Sequence, residues 1–149
     1  GASLPGQRLK AMEKLAALGV PVSARIDPII PGINDAEIDD LVSAVSRAGA
    51  RHIISSTYKA RPGGIKRIMN AFPEQGAALQ RLFAGGEMMA GSLYLPAELR
   101  RGLMERIAAS AEVEALTFSS CREGSEPAPG INCDGSHLLP SQDKVKPEE

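Results

Sequence analysis

Cysteine, aromatic residues and long apolar runs are scarce in this chain of 149 residues. It has 2 Cys, no Trp and 3% aromatic residues. Such a composition excludes a disulfide scaffold and a stacking platform for single-stranded nucleic acid. No run of about 18 apolar residues and no basic-then-apolar leader is present, so we predict neither a membrane span nor a secretory signal. We therefore expect a cytoplasmic protein without a membrane partner.

Acidic residues are missing from one long internal block. Between Leu41 and Pro73 there is no Asp or Glu. This block favours an anionic ligand or a nucleic acid, although basic side chains on solvated helix faces would give the same pattern. Its basic residues are Arg47, Arg51, Lys59, Arg61, Lys66 and Arg67.

Helices and strands alternate in the first part of the chain. A hydrophobic content of 43% is enough for one ordinary core. Helical spacing predicts a helix over residues 7–18, and Asn34 with Glu37 predicts a capping box that opens a second helix. Apolar and β-branched residues predict strands over 20–27 and 52–58. Short connections in this order indicate parallel strands and an α/β sheet or barrel.

The pattern changes after Tyr58. Periodicity predicts helices over residues 65–71, 74–84 and 96–110, followed by a short strand over 116–119. From Cys121 onward the chain is rich in Gly, Pro, Ser and charge and has no periodicity. We therefore divide the chain into a barrel half-domain over 1–60, a helical extension over 61–120 and a Cys/His loop segment with a flexible tail over 121–149.

The first predicted strand carries polar residues at alternate positions. Ser23, Arg25 and Asp27 would share one face, and burying such groups is costly unless they are paired. Barrel enzymes place binding and catalytic groups at the carboxyl ends of their strands, which is where Arg25 and Asp27 lie. The alternative is a structural ion pair between Arg25 and Asp27 that satisfies itself.

Residues 7 to about 58 resemble the second half of the radical SAM barrel, in the subgroup similar to spore photoproduct lyases, and the C-terminal region resembles it more loosely. The likeness rests on a helix ending in Leu-Gly, a following strand, and the turn Pro28-Ile-Ile-Pro-Gly-Ile-Asn-Asp35 before the next helix. The resemblance implies the C-terminal portion of a partial (β/α)6 TIM-type barrel, with these strands as its fifth and sixth. A helical extension and a Cys-containing loop segment would follow.

The same resemblance implies reductive cleavage of S-adenosylmethionine at a [4Fe-4S] cluster, which generates a 5′-deoxyadenosyl radical. Arg25 would bind the methionine carboxylate, and Ser23 or Asp27 a ribose hydroxyl. The family holds its cluster with a Cys-x-x-x-Cys-x-x-Cys loop, which is absent here. We therefore expect this chain alone to be inactive and to pair with the N-terminal half of its own barrel. The substrate stays open, with nucleic acid among the candidates.

A loop with two glycines and several bases follows the second strand. Lys59, Arg61, Gly63 and Gly64 precede a predicted helix, and a helix N-terminus beside cations suits a phosphate or carboxylate. The spacing matches neither a Walker A nor a dinucleotide fingerprint. An ordinary strand-to-helix turn with solvated basic residues is the alternative.

Both cysteines lie near the C-terminus. Residues 133–137 spell Cys-Asp-Gly-Ser-His, the string of small [2Fe-2S] proteins, and Cys121 lies upstream. Cys121, Cys133 and His137 could hold zinc or an auxiliary iron-sulfur cluster, with a fourth ligand such as His52 or Asp134. Solvent-exposed free thiols are the alternative.

The ending also resembles that of the photoproduct-lyase-like subgroup, which favours a segment folded back over the open mouth of the barrel. Three functions are compatible with these features. They are part of a radical SAM enzyme, a noncatalytic metal or iron-sulfur binding module, and a phosphate-binding barrel enzyme.

Overall fold

The computed structural model describes residues 3–124 and 126–140 as an α/β fold. The helices are α1 (Pro5–Ala17), α2 (Ile38–Arg47), α3 (Gly64–Ala71), α4 (Pro73–Ala84) and α5 (Ala97–Val113). The strands are β1 (Ser23–Ile29), β2 (His52–Thr57), β3 (Glu87–Met89), β4 (Ser92–Tyr94) and β5 (Thr117–Ser120). Short 3-10 turns lie at Asp35–Glu37 and Ser136–Leu138.

A three-stranded parallel sheet in the order β1-β2-β5 forms the centre of the protein. The pairs Ser23 with His52 and His52 with Thr117 fix its register. Parallel pairing requires a crossover between successive strands, which α2 provides between β1 and β2 and the helical extension between β2 and β5. All three carboxyl ends therefore lie along one edge.

The main core lies between one face of this sheet and helices α2 and α5. Val42, Ile53 and Ile107 are fully buried there, and Ile26 and Phe118 pack against the same cluster. Burying an aliphatic side chain of this size contributes about 1.5–3 kcal/mol. A smaller cluster around Phe83 and Leu95 holds the hairpin and α4 together.

Most predicted elements are present, with shifted ends. The first strand begins at Ser23 rather than at residue 20, because the backbone N–H groups of Leu18, Gly19 and Val20 bond back to the end of α1. The predicted capping box at Asn34 is wrong. Its side chain instead accepts a hydrogen bond from Ile30 N–H and donates one to Pro28 carbonyl, so it fastens the turn before the helix.

The antiparallel hairpin of β3 and β4 was not predicted. Each strand has only three residues, too few to show a period. Its two-residue turn places Ala90 at φ 46° and Gly91 at φ 74°, as a tight hairpin requires. Ala90-Gly91 is a weaker signal than Asn-Gly, which explains the omission.

The α/β class is confirmed, whereas the described residues contain three parallel strands and no closed barrel. β5, placed in the extension by the sequence, joins the same sheet as β1 and β2. The division into three parts remains a prediction. Among the described helices, none combines the length and the apolar character needed to cross a membrane.

Candidate functional site

One face of the parallel sheet carries polar side chains, while the other carries the core. Because partners in a parallel register point the same way, the residues opposite the helices can be read from the pairing. We call this surface the polar face. Its members are Ser23, Arg25 and Asp27 of β1, His52, Ile54 and Ser56 of β2, and Thr117, Ser119 and the adjoining Cys121.

The carboxyl end of the polar face holds a charged, accessible group. The Arg25 guanidinium donates to an Asp27 carboxylate oxygen at 2.9 Å, and Ser56 hydroxyl donates to the other oxygen at 2.7 Å. The Arg25 side chain is 50% exposed and that of Asp27 21%. The hydrogen bond to Asp27, followed by the nearby Cys121 thiol, raises the pKa of Arg25, so the guanidinium is always charged. An ion pair between Arg25 and Asp27, the alternative considered from the sequence, is therefore present, and it uses only part of the guanidinium.

The amino end of the same face is closed. His52 is fully buried, with Nδ1 at 2.8 Å from Thr117 hydroxyl and Nε2 at 3.0 Å from Ser119 hydroxyl. His137 lies edge-on to it, with ring centroids 4.7 Å apart, and its Nε2 is 3.1 Å from the same Thr117 hydroxyl. Neutral hydrogen-bonding groups thus replace charges at this end.

One assignment of protons satisfies every group in the closed cluster. Asn132 N–H donates to His137 Nδ1 at 3.1 Å, so His137 carries its proton on Nε2 and donates to Thr117. Thr117 hydroxyl then donates to Arg51 carbonyl at 3.2 Å and accepts from His52 Nδ1, while Ser119 donates to His52 Nε2. Burial, and next the neighbouring His137, lower the pKa of His52, which keeps its ring neutral.

Residues 131–139, which we call the docked segment, cover this amino end. A Cβ added at Gly135 would collide with Ser23 Oγ, and Gly135 has φ 79°, so only glycine fits both the contact and the backbone. Leu138 lines a cleft of about 510 Å³ together with Pro21, Arg51 and Leu116, which lie one or two residues before the three strands.

The docked segment does not have the position expected from the sequence. The C-terminal segment was expected to fold back over the open mouth of the barrel, but residues 131–139 of it lie at the amino ends of the strands, whereas Glu123 lies at the carboxyl end of β2. Ser23 contacts the docked segment at the amino ends, while Arg25, from the middle of β1, directs its guanidinium to Asp27 nearer the opposite end. The sequence could not show this, because a segment without periodicity gives no signal of the sheet edge it contacts.

A buried ion network on the helix side of the sheet was missed from the sequence. The Glu123 side chain is 2% exposed and accepts from Thr57 N–H at 2.7 Å, Thr57 hydroxyl at 3.0 Å and Lys59 ammonium at 2.7 Å. Arg100, 6% exposed, approaches its second oxygen at 3.4 Å and bonds Glu87 at 2.7 Å. The carboxylate fixes the segment after β5 to the end of β2.

The residues of the predicted anion loop have different surroundings. Lys59 forms an ion pair with Glu123. Gly63 has φ 74° and precedes α3, and Gly64 lies under the Tyr58 hydroxyl. Arg61 and Gly63 instead line a cleft of about 520 Å³ between α3, α4 and the hairpin.

The predicted metal ligands are dispersed. Cys121 continues β5 near Arg25, Cys133 lies exposed in a turn, and both ring nitrogens of His137 take part in hydrogen bonds. Over residues 3–124 and 126–140, no three His, Cys, Asp or Glu side chains come close enough to hold a metal ion. The assignment to Cys121, Cys133 and His137, with His52 or Asp134 as a fourth ligand, stays a prediction that metal analysis can test.

No protein-family model matches the chain, and no curated protein or solved structure is significantly similar to it.

Proposed function

We propose that this chain is the C-terminal part of a radical SAM enzyme and that the carboxyl end of its polar face binds S-adenosylmethionine. The observation that carries the proposal is the half-exposed Arg25 guanidinium on the sheet face opposite the helices. Functional groups of parallel α/β proteins gather at the carboxyl ends of the strands. The neutral, closed amino end leaves that edge as the accessible part of the face.

The donors present suit the amino acid portion of this cofactor. A guanidinium has five N–H donors. Among the residues that the structure describes, Arg25 bonds the carboxylate of Asp27 and lies beside the Cys121 thiol. The remaining donors can meet a second carboxylate through paired charged hydrogen bonds. Asp27, which is bonded to Arg25, would accept from a ribose hydroxyl or from the ammonium group of the same ligand.

The chain does not suit the cluster. Its 2 Cys are fewer than the three that the family's cluster loop requires. Residues outside this chain would have to supply the [4Fe-4S] site, and a cluster of that kind would furnish the electron for sulfonium cleavage. The role proposed for this chain is to bind and orient the cofactor.

The barrel itself belongs to the same proposal. Within the described residues β1 pairs with β2 alone, and α1 has no buried residue. Leu15, Leu18 and Val20 are 45%, 79% and 45% exposed, which is costly for an apolar surface facing water. A preceding strand and helix of the same barrel would cover this edge. A nucleic acid substrate remains a prediction from the acid-free block.

The test is calorimetric titration of the chain with two nucleosides. S-adenosylhomocysteine carries the amino acid group, whereas 5′-methylthioadenosine lacks it. Arg25→Ala should weaken binding of the first by about tenfold, since a charged hydrogen bond in a half-exposed site contributes about 1.5 kcal/mol. Binding of the second should not change.

Arg101→Ala is the matched control, because Arg101 lies on the outer side of α5 with its side chain 64% exposed. Equal losses for both nucleosides would remove Arg25 from the carboxylate site. Failure of S-adenosylhomocysteine to bind the unaltered chain would contradict the proposal for this chain.

A further inference from the structure

A cleft between α3, α4 and the hairpin joins an apolar floor to a basic rim. Ile65, Met69, Met88 and Leu93 supply apolar surface, and the volume is about 520 Å³. Ligand sites of small molecules have volumes of about 300–1,000 Å³ and combine a largely apolar lining with a few polar groups. The other lining residues are Ala60, Arg61, Pro62, Gly63, Lys66 and Gln80.

The charge at this cleft is of one sign. Arg61 and Lys66 are exposed, and neither forms an ion pair in the part of the chain that the structure describes. No lining residue is acidic. Glu87, beside Met88 in sequence, is bound to Arg100. No acidic side chain of the described residues therefore neutralises the positive charge of Arg61 and Lys66 through an ion pair.

The apolar floor is adaptable as well as accessible. Met88 is 65% exposed on the hairpin, and Met69 faces the same cleft from α3. Unbranched thioether side chains adjust to ligands of varied shape. An exposed apolar side chain next to unpaired cations matches a molecule with an apolar body and an anionic head.

We infer that this cleft binds a small amphiphilic anion, with its carboxylate or phosphate head at Arg61 and Lys66 and its apolar body against Met69 and Met88. The start of α3, immediately after Gly63, adds favourable potential for the head group. The inference is independent of the cofactor proposed for the polar face, from which the cleft is separate. The inferred site differs from the anion loop predicted from the sequence, because it does not include Lys59 and it includes the apolar floor of the cleft.

The experiment uses octanoate and octyl phosphate as probes, followed by methyl NMR of the chain labelled at its 5 Met residues. Signals of Met69 and Met88 should shift on titration, while those of Met12 and Met104, away from the cleft, should not. The ratio of the two affinities distinguishes a carboxylate from a phosphate head. The double variant Arg61→Ala/Lys66→Ala should bind the better probe at least tenfold more weakly.

Arg47→Ala is the control, because Arg47 belongs to the same acid-free block but contacts Ser43 on α2 at 2.6 Å. Met88→Glu, which adds an acid to an exposed position, should also abolish binding while leaving the circular dichroism spectrum unchanged. Equal binding of uncharged 1-octanol, or full competition by inorganic phosphate, would overturn the inference. Shifts that persist in the double variant, or no shifts at millimolar probe, would overturn it as well.

Discussion

The polar groups at the two ends of the polar face are stabilised in opposite ways. At the amino end, His52 is fully buried and every partner is a neutral hydrogen-bonding group. At the carboxyl end, Arg25 is half exposed and bonded to a carboxylate. A closed end favours stability, because buried neutral groups cost little once satisfied. An open, charged end remains accessible to a ligand.

The helix side of the carboxyl end differs again, because there charges are buried. Glu123 and Arg100 are nearly inaccessible, and the carboxylate serves several donors at once. Buried pairs contribute little net stability relative to apolar residues but are costly to break. At the carboxyl edge of the sheet, buried charges therefore stabilise the helix side, whereas the charges of Arg25 and Asp27 on the polar face are accessible.

Removing the buried carboxylate should have the largest effect. Glu123→Gln removes the ion pairs that Glu123 makes with Lys59 and Arg100, so we expect the free energy of unfolding to fall by about 3 kcal/mol in urea titrations. Glu98→Gln on the surface of α5, where the side chain is 87% exposed, should cost less than about 0.5 kcal/mol. Similar losses for the two variants would show that the network does not anchor the segment.

Undocking the segment at the closed end should have an intermediate effect. Gly135→Ala creates a collision with Ser23 and a strained backbone, and should lower the free energy of unfolding by about 2 kcal/mol. Hydrogen exchange should rise in residues 131–139. Gly130→Ala shares the positive φ of 80° but meets nothing within 4 Å, so it isolates the strain from the contact. Indistinguishable effects would mean that the contact is unimportant.

A smaller effect should appear as pH dependence at the closed end. Because the pKa of His52 is lowered in the folded protein from its ordinary value of 6.5, the unfolded chain takes up the proton first as pH falls. The His52 contribution is fully present above pH 6.5 and is lost as pH falls below it, towards the folded pKa. Denaturant titrations at several pH values should show this slope.

The variants of the two histidines sharpen that test. His52→Gln should remove the fall in the free energy of unfolding below pH 6.5. His137→Gln should only reduce that fall, because His137 is the second cause of the lowered His52 pKa, after burial. An unchanged slope in His52→Gln would assign the dependence to other groups. The open end should not show this dependence, since Arg25 does not titrate near neutral pH.

Local sequence patterns predicted most helices and strands, but they did not predict which distant residues these contact. Alternation over residues 23–27 correctly placed Ser23, Arg25 and Asp27 on one face, and helical spacing found all five helices that the structure describes. The hairpin was not predicted, because strands of three residues are too short to show a periodic pattern. The role of Glu123 was not predicted, because this residue lies in a segment without periodicity and its partner Lys59 is 64 residues away along the chain.

By itself, then, the sequence determined the α/β order, the parallel pairing and the polar alternation of β1, because each follows from spacing and connection length. Only the tertiary structure decided that the docked segment covers the amino end and that Lys59 forms an ion pair with Glu123. It also decided that Arg61 and Lys66 line an apolar cleft. These outcomes depend on which distant surfaces meet when the core is buried, and no local pattern of residues encodes that meeting.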